Sequence, residues 1–291
     1  MKNFKYILLL AFSSVLFSCT DIIELDLTEG DKMIIINGRV TNSVPATVEI
    51  YMTTAVFNDG PNPKINNATV LLFEDGVNVS SFTQDSQGTY QSTYVGTIGK
   101  SYNIEVIIPA GDENFGGTTW ASGEDLLLAT APLDTIFQKT VEKDLPFEDG
   151  GEYVFYEFTD PAGIPNNYRF RAWQNGIYLS NPSDLSIYDD EFWDGKTFTD
   201  DESVSNRFPA RRVNDTSAVN NEHWKIEQSS ISNAYFDYIS LLREQTASTG
   251  GIFDPPPELL EGNIYNVSSD RKALGFFDAS AIETLEYIVK H

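Results

Sequence analysis

The residues able to do chemistry in this chain are few. There is one cysteine, Cys19, and two histidines, His223 and His291. A Ser-His-Asp hydrolase needs an internal histidine, which leaves only His223, in Asn221-Glu222-His223-Trp224. No G-x-S-x-G elbow accompanies it, so a surface or half-packed histidine beside a buried tryptophan is the expectation. A lone cysteine supports neither a disulfide framework nor a cysteine-rich metal site. Carboxylates are abundant, with 43 Asp and Glu, too many to single out a glycosidase pair. The runs Asp189-Asp190-Glu191 and Asp200-Asp201-Glu202 could offer oxygen ligands to calcium, but they lack EF-hand spacing. A solvated acidic loop is the simpler reading, and no metal or cofactor is expected. Aromatic platforms are the remaining resource: Trp173, Tyr178, Tyr188, Phe192, Trp193 and Trp224. Core packing competes for each of them. Tyr188, Phe192 and Trp193 are the better candidates for contact, because acids surround them in Ser183–Ser205. Together with Asp189 and Asp190 they form the expected partner-binding site.

Composition limits the partners. Against the 43 acids stand 19 Lys and Arg, a formal charge of −24. Such a chain has no counterion release to gain from nucleic acid, and none is expected as a partner. The 41% hydrophobic and 13% aromatic content is enough for a real core.

The first residues explain the cysteine. Lys2 and Lys5 precede the apolar run Tyr6–Leu16, which is too short for a bilayer span of about 20 residues. Leu16-Phe17-Ser18-Cys19 resembles a bacterial lipobox. On that reading residues 1–18 are a signal peptide and Cys19 is lipidated as the first mature residue. The mature chain then holds no free thiol. Residues 19–32 form an acidic tether. Their Asp21, Glu24 and Asp26 resemble, in interrupted form, the signal that sends Bacteroidota lipoproteins to the outer face of the outer membrane. The short Asp134-Thr135-Ile136 resembles the O-glycosylation motif of secreted Bacteroidota proteins.

The remainder reads as mainly β. Strands are expected over Met33–Val40, Ala46–Thr54, Thr69–Phe73, Val77–Phe82 and Tyr102–Ile108. Asp75-Gly76 between two of them predicts a type I′ hairpin, since both central residues need positive φ. Elements such as Asn37-Gly38-Arg39-Val40-Thr41-Asn42 and Gly99–Val106 resemble an immunoglobulin-like or carboxypeptidase-regulatory-like sandwich over 33–130. Beyond Ala131-Pro132 a second β-rich module runs from 131 to 291. It contains strands at Tyr153–Phe158 and Asn167–Trp173, an Asn175-Gly176 hairpin, and closing strands at Asn263–Val267 and Ala273–Phe277. Ile231, Ala234, Tyr235, Tyr238, Ile239 and Leu242 fall on one helical stripe and predict one amphipathic helix near 231–246.

A family resemblance rests on Tyr168-Arg169-Phe170, on Ser232, Tyr235 and Tyr238, on Gly251-x-Phe253-Asp254-Pro255-Pro256, on Gly262-Asn263-Ile264-x-Asn266, and on Ala273-Leu274-Gly275-Phe276-Phe277-x-Ala279-Ser280. With the lipobox, these make the chain similar to the DUF4249 family of Bacteroidota outer-membrane lipoproteins. The resemblance implies a lipid-anchored outer-membrane protein at the extracellular face, without an assigned activity or catalytic residues. It also implies an accessory role beside a TonB-dependent receptor in uptake or envelope assembly. A structural or adhesive envelope module and a hydrolase with an unrecognised site are the alternatives.

Overall fold

Along Ile34–Thr41 (β1) alternate side chains enter different surroundings. Ile34, Ile36 and Val40 are fully buried in one core. Ile35, Asn37 and Arg39 belong to the opposite face, as the period of two in a strand requires. Both faces of β1 are covered, and that fact organises the molecule. The computed structural model describes residues 30–55, 60–142, 150–199, 207–212, 221–247 and 258–290. Cys19, Asp200, Asp201, Glu202, Phe253 and Pro255 lie outside these.

After β1 come β2 (Thr47–Met52), β3 (Thr69–Glu74), β4 (Val77–Ser81), β5 (Thr83–Ser86), β6 (Thr89–Gln91), β7 (Ser101–Ile107), β8 (Thr119–Ser122) and β9 (Asp125–Leu126). Then follow β10 (Leu133–Val141), β11 (Gly151–Thr159), β12 (Asn167–Gln174), β13 (Ile177–Tyr178), β14 (Ser186–Asp189), β15 (Thr197–Phe198), β16 (Arg207–Arg212) and β17 (Glu222–Ile231). The helix α1 (Asn233–Ala247) precedes β18 (Glu261–Asn266), β19 (Lys272–Leu274), β20 (Phe277–Ser280) and β21 (Ile282–Val289). Among the described residues the fold is therefore mainly β with one long helix, as the sequence pattern indicates.

Three sheets form among the described residues. The first joins β1 to β9 with β18, β19 and β20. The second holds β10, β11, β15 and β16, and the third β12, β13, β14, β17 and β21. Val154, Tyr156 and Phe158 of the second sheet meet Tyr168, Phe170, Ala172, Trp224 and Ile226 of the third in a shared core. Ring pairs such as Tyr156–Phe170, with centroids 4.2 Å apart, fill it.

Both expected hairpins exist. Asp75 and Gly76 have φ of 46° and 77°, and Asn175 and Gly176 have 52° and 79°. The helix also forms where its stripe predicts. Ser232 caps it, its Oγ accepting the Tyr235 N–H at 3.3 Å. Tyr235 and Ile239 carry its buried face.

The closing strands fall elsewhere than expected. Asn263–Val267 and Ala273–Phe277, expected as closing strands of the second module, fall in β18 to β20 and complete the first sheet. β18 pairs with β8, and β20 runs parallel to β1 with Gly38 opposite Phe277. The chain thus starts its second sheet at β10 and re-enters the first sheet at β18. Two glycines permit the return. A Cβ on Gly262 would stand 1.4 Å from the Gly275 carbonyl oxygen, and one on Gly275 would stand 2.3 Å from that of Ile36. Gly275 also has φ of +89°, a conformation that glycine adopts without steric cost.

Asp125 on β9 ties the returning strand down by accepting the Ala279 N–H at 2.8 Å. Burial pushes its carboxyl up to about 6 from an ordinary 3.8. The unfolded chain ionises this group near 3.8 and the folded protein near 6, so folding takes up a proton between those values. Its ionisation therefore costs the fold in full above pH 6, by about 3 kcal/mol at most, and that cost disappears as pH falls toward 4. Asp125→Asn, which keeps an acceptor, is expected to raise the urea midpoint at pH 7.5 and not at pH 4. An equal change at both pH values would contradict this account.

Candidate functional site

The third sheet presents two faces. Tyr168, Phe170 and Ala172 of β12 point into the aromatic core, so Arg169, Arg171 and Trp173 point the other way. That second face looks onto the odd-numbered residues of β1. Between them lies a cleft of about 890 Å³, closed at one side by α1. This volume suits a small molecule, whose pockets run to about 300–1,000 Å³.

The floor of the cleft is ionic. Glu227 of β17 stands in register with Arg171, and is almost fully buried. Its Oε1 lies 3.2 Å from Arg171 Nη1 and 2.8 Å from Arg39 Nη2, which reaches across from β1. Asp278 of β20 stands 3.8 Å from Arg39 Nε and accepts the Ser280 hydroxyl at 2.8 Å. Arg171 Nη1 also donates to Ser229 Oγ at 3.1 Å. Arg169 donates to the Tyr235 hydroxyl and lies over the Tyr235 ring, 5.4 Å from its centroid.

Burial and charge pull against each other here. Burial would raise the Glu227 carboxyl, but Arg39 and Arg171 outweigh it and hold it below its ordinary value. Burial would lower Arg171, yet Tyr235, Asp278 and Glu227 keep it above its ordinary value. Arg39 is the exception. Burial and the neighbouring Arg171 lower its guanidinium despite Glu227 and Asp278. Its Nε and Nη2 are shielded from solvent, and Nη2 is held by the ion pair with Glu227 at 2.8 Å.

Aromatic side chains form the walls. Tyr238 and Phe276 pack 5.2 Å apart, and Trp173 and Tyr178 also 5.2 Å apart, centroid to centroid. Lys225 stands 4.0 Å above the Trp173 ring. Tyr51 is fixed by Asn37, whose Nδ2 donates to its hydroxyl at 2.7 Å. Glu49 and Glu258 form an exposed acidic rim.

A model of the family described as Domain of unknown function (DUF4249) matches residues 20–286. The chain belongs to this family. No curated protein matches it. Several residues behind the resemblance in sequence, namely Arg169, Tyr235, Tyr238, Gly275 and Phe276, meet in the cleft of this DUF4249 chain.

None of Tyr188, Asp189, Asp190, Phe192 and Trp193, expected to form the partner-binding site, lines the cleft, although Ile187 beside them packs with Tyr235, Ile239 and Phe276. Tyr188 is on β14, and its ring packs 5.9 Å from Phe170 and 6.0 Å from Phe198. Trp193 packs 5.1 Å from Phe198, with Lys196 over its ring. Only Phe192 of the three is mostly exposed, at 72%. Asp189 accepts the Glu191 N–H at 3.2 Å in a local turn. Asp190 accepts the Asn166 N–H at 2.8 Å. Asp190, Asp160 and Asp194 gather their carboxylates within 4.8 Å. Asp160 takes the Tyr168 hydroxyl at 2.7 Å and the Gly195 N–H at 3.0 Å, and Asp194 takes the Gly163 N–H. These acids stitch segment 189–195 onto segment 160–168. Cys19 lies outside the described residues. His223 is exposed, 3.1 Å from Glu286, while Trp224 beside it is fully buried.

Sequence reasoning missed Arg39, Arg171 and Glu227. A signal was present: Arg169 and Arg171 alternate with Tyr168, Phe170 and Ala172 in a chain poor in cations. Such a pattern ordinarily means a strand with one wet face.

Proposed function

We propose that the protein is a lipid-anchored outer-membrane protein that recognises a small molecule at the cleft between its first and third sheets, beside a TonB-dependent receptor. The cleft carries this reading: its arginine floor and aromatic walls provide a few directed polar groups within an apolar enclosure, the usual composition of a ligand site. The lipobox-like Leu16–Cys19 and the acidic residues after it support the anchor. No helix among the described residues is long and apolar enough to cross a membrane, so under this proposal the acyl chains supply the attachment. The exposed Phe192 and the acids beside it offer a separate patch for a protein partner, one with a basic face.

Replacing Cys19 with alanine tests the anchor. The variant is expected to leave the membrane fraction and to lose the mass of its acyl chains. Retention in the membrane with unchanged mass would contradict it. Affinity purification of the full chain from detergent-solubilised outer membrane is expected to recover a TonB-dependent receptor, and repeated recovery of none would remove that part of the proposal.

A further inference from the structure

We propose that the cleft binds an uncharged glycoside, its apolar aglycone against α1 and its sugar ring beside Tyr178 and Glu49. The inference rests on the reading of the cleft as a recognition site.

The lining is of two kinds. Next to α1 it is apolar. Tyr238 and Leu242 come from the helix itself. Ile35 and Leu274 stand opposite each other on β1 and β19. Leu259 follows Glu258, whose N–H donates to the Gln245 side chain of α1 at 3.2 Å. That end suits an apolar body. The end at Arg39 is different. Thr47 stands opposite Arg39, and Glu49 opposite Thr89, and all of these line the cleft. Trp173 and Tyr178 pair across β12 and β13, with ring centroids 5.2 Å apart and planes tilted by 40°. Lys225 holds one face of Trp173, so Tyr178, 38% exposed, is the more open ring. A sugar ring has the two characters that this end asks for. Its C–H face packs on an aromatic ring, and its hydroxyls donate to an ionised carboxylate, which can only accept. Glu49 is that carboxylate, exposed at the rim, and Thr47 and Thr89 add hydroxyls.

Charge selects an uncharged ligand. Glu227 is shared by Arg39 at 2.8 Å and Arg171 at 3.2 Å, and Asp278 stands 3.8 Å from Arg39. Arg169 lies over the Tyr235 ring. The buried charges already answer one another, so an ionic ligand would lose its hydration without finding a buried counter-charge. Glu49 and Glu258 at the rim oppose an anion. The three arginines, with Lys64 over Tyr51 and Lys225 over Trp173, oppose a cation. Hydroxyls meet both signs, because each one donates and accepts.

Isothermal titration of the detergent-solubilised full chain at pH 6 tests this with water-soluble probes. Phenyl β-D-glucopyranoside is expected to bind one-to-one, and its two halves, glucose and phenol, at least about tenfold more weakly. Phenyl β-D-glucuronide, an anion, and phenyl 2-amino-2-deoxy-β-D-glucopyranoside, a cation, should also bind more weakly. Glu49→Ala should weaken phenyl glucoside by about tenfold and leave phenol unchanged. Tyr178→Ala should weaken it by about fivefold. Both side chains are exposed, and circular dichroism should show both variants folded. Leu242→Trp, which fills the apolar end, should abolish binding of every probe.

Phenyl glucoside that binds no better than phenol, with both lost in Leu242→Trp, would overturn the sugar and spare the cleft. Binding that survives Leu242→Trp would overturn the cleft reading itself. Tighter binding of the glucuronide or of the amine would overturn the uncharged assignment. Unchanged affinity in both Glu49→Ala and Tyr178→Ala would overturn the placement of the sugar ring, and no binding of phenyl glucoside at millimolar concentration would overturn the ligand class.

Discussion

Gly262→Ala is expected to destabilise the protein by about 4 kcal/mol or more, at the upper end of single substitutions. The added methyl would lie 1.4 Å from the Gly275 carbonyl oxygen, which is backbone and has no rotamer to escape into. β18 and β19 would have to separate, and with them the turn that delivers Phe276 to the cleft. Gly38 donates its N–H to the Phe276 carbonyl at 2.9 Å, so the disturbance reaches β1 directly. At about 2–4 °C per kcal/mol, thermal unfolding followed by circular dichroism should fall by roughly 10 °C or more. A midpoint within a few degrees of wild type would mean that β18 and β19 are not in contact as described.

Glu227→Gln should be nearly as severe, for an electrostatic reason. The change leaves the buried Arg171 and the half-buried Arg39 facing each other, with Asp278 the remaining acid in contact with Arg39. Breaking a buried ion pair by removing one partner costs about 3–5 kcal/mol. Its pH dependence identifies the cause. Glu227 ionises below its ordinary value in the folded protein. Its stabilisation is therefore present above the unfolded carboxyl pKa of about 4.3, and it is lost as pH falls through the lower folded value. Wild type and variant should differ most near pH 7 and converge in acid. A gap that stays constant across that range would show a packing defect instead.

The parts of this molecule legible in sequence are those governed by local rules. Asp75-Gly76 and Asn175-Gly176 declare their turns because few dipeptides tolerate two positive φ values. The α1 stripe declares itself because Tyr235, Tyr238, Ile239 and Leu242 recur at helical spacing. β17 was missed, since Glu222–Ile231 carries polar residues on both faces. Gln228, Ser229 and Ser230 are nonetheless fully buried, because a sheet packs on each side. The return of β18–β20 to the first sheet was also hidden. Strand pairing is set by tertiary register, and nothing local in Phe277–Ser280 names β1 as its partner.

The site shows the same division. The acidic, aromatic segment 183–205 drew attention because its composition is unusual. In the structure Tyr188 and Trp193 turn inward, and Asp190 and Asp194 bind backbone N–H groups. The cleft is built instead from residues far apart in the chain, among them Arg39, Arg171, Tyr235 and Asp278. Each is unremarkable in its own segment. Arginine on alternate positions of β12 reads as a solvent face until β1 is known to cover it.

Native mass spectrometry of the full chain, purified gently from the cells that make it, tests the central claim most directly. The account predicts a bound small molecule at up to one per chain on wild type, and its absence from Leu242→Trp, which fills the cleft from α1. Wild-type protein that carries no adduct after gentle release, or an adduct retained when the cleft is filled, would contradict it.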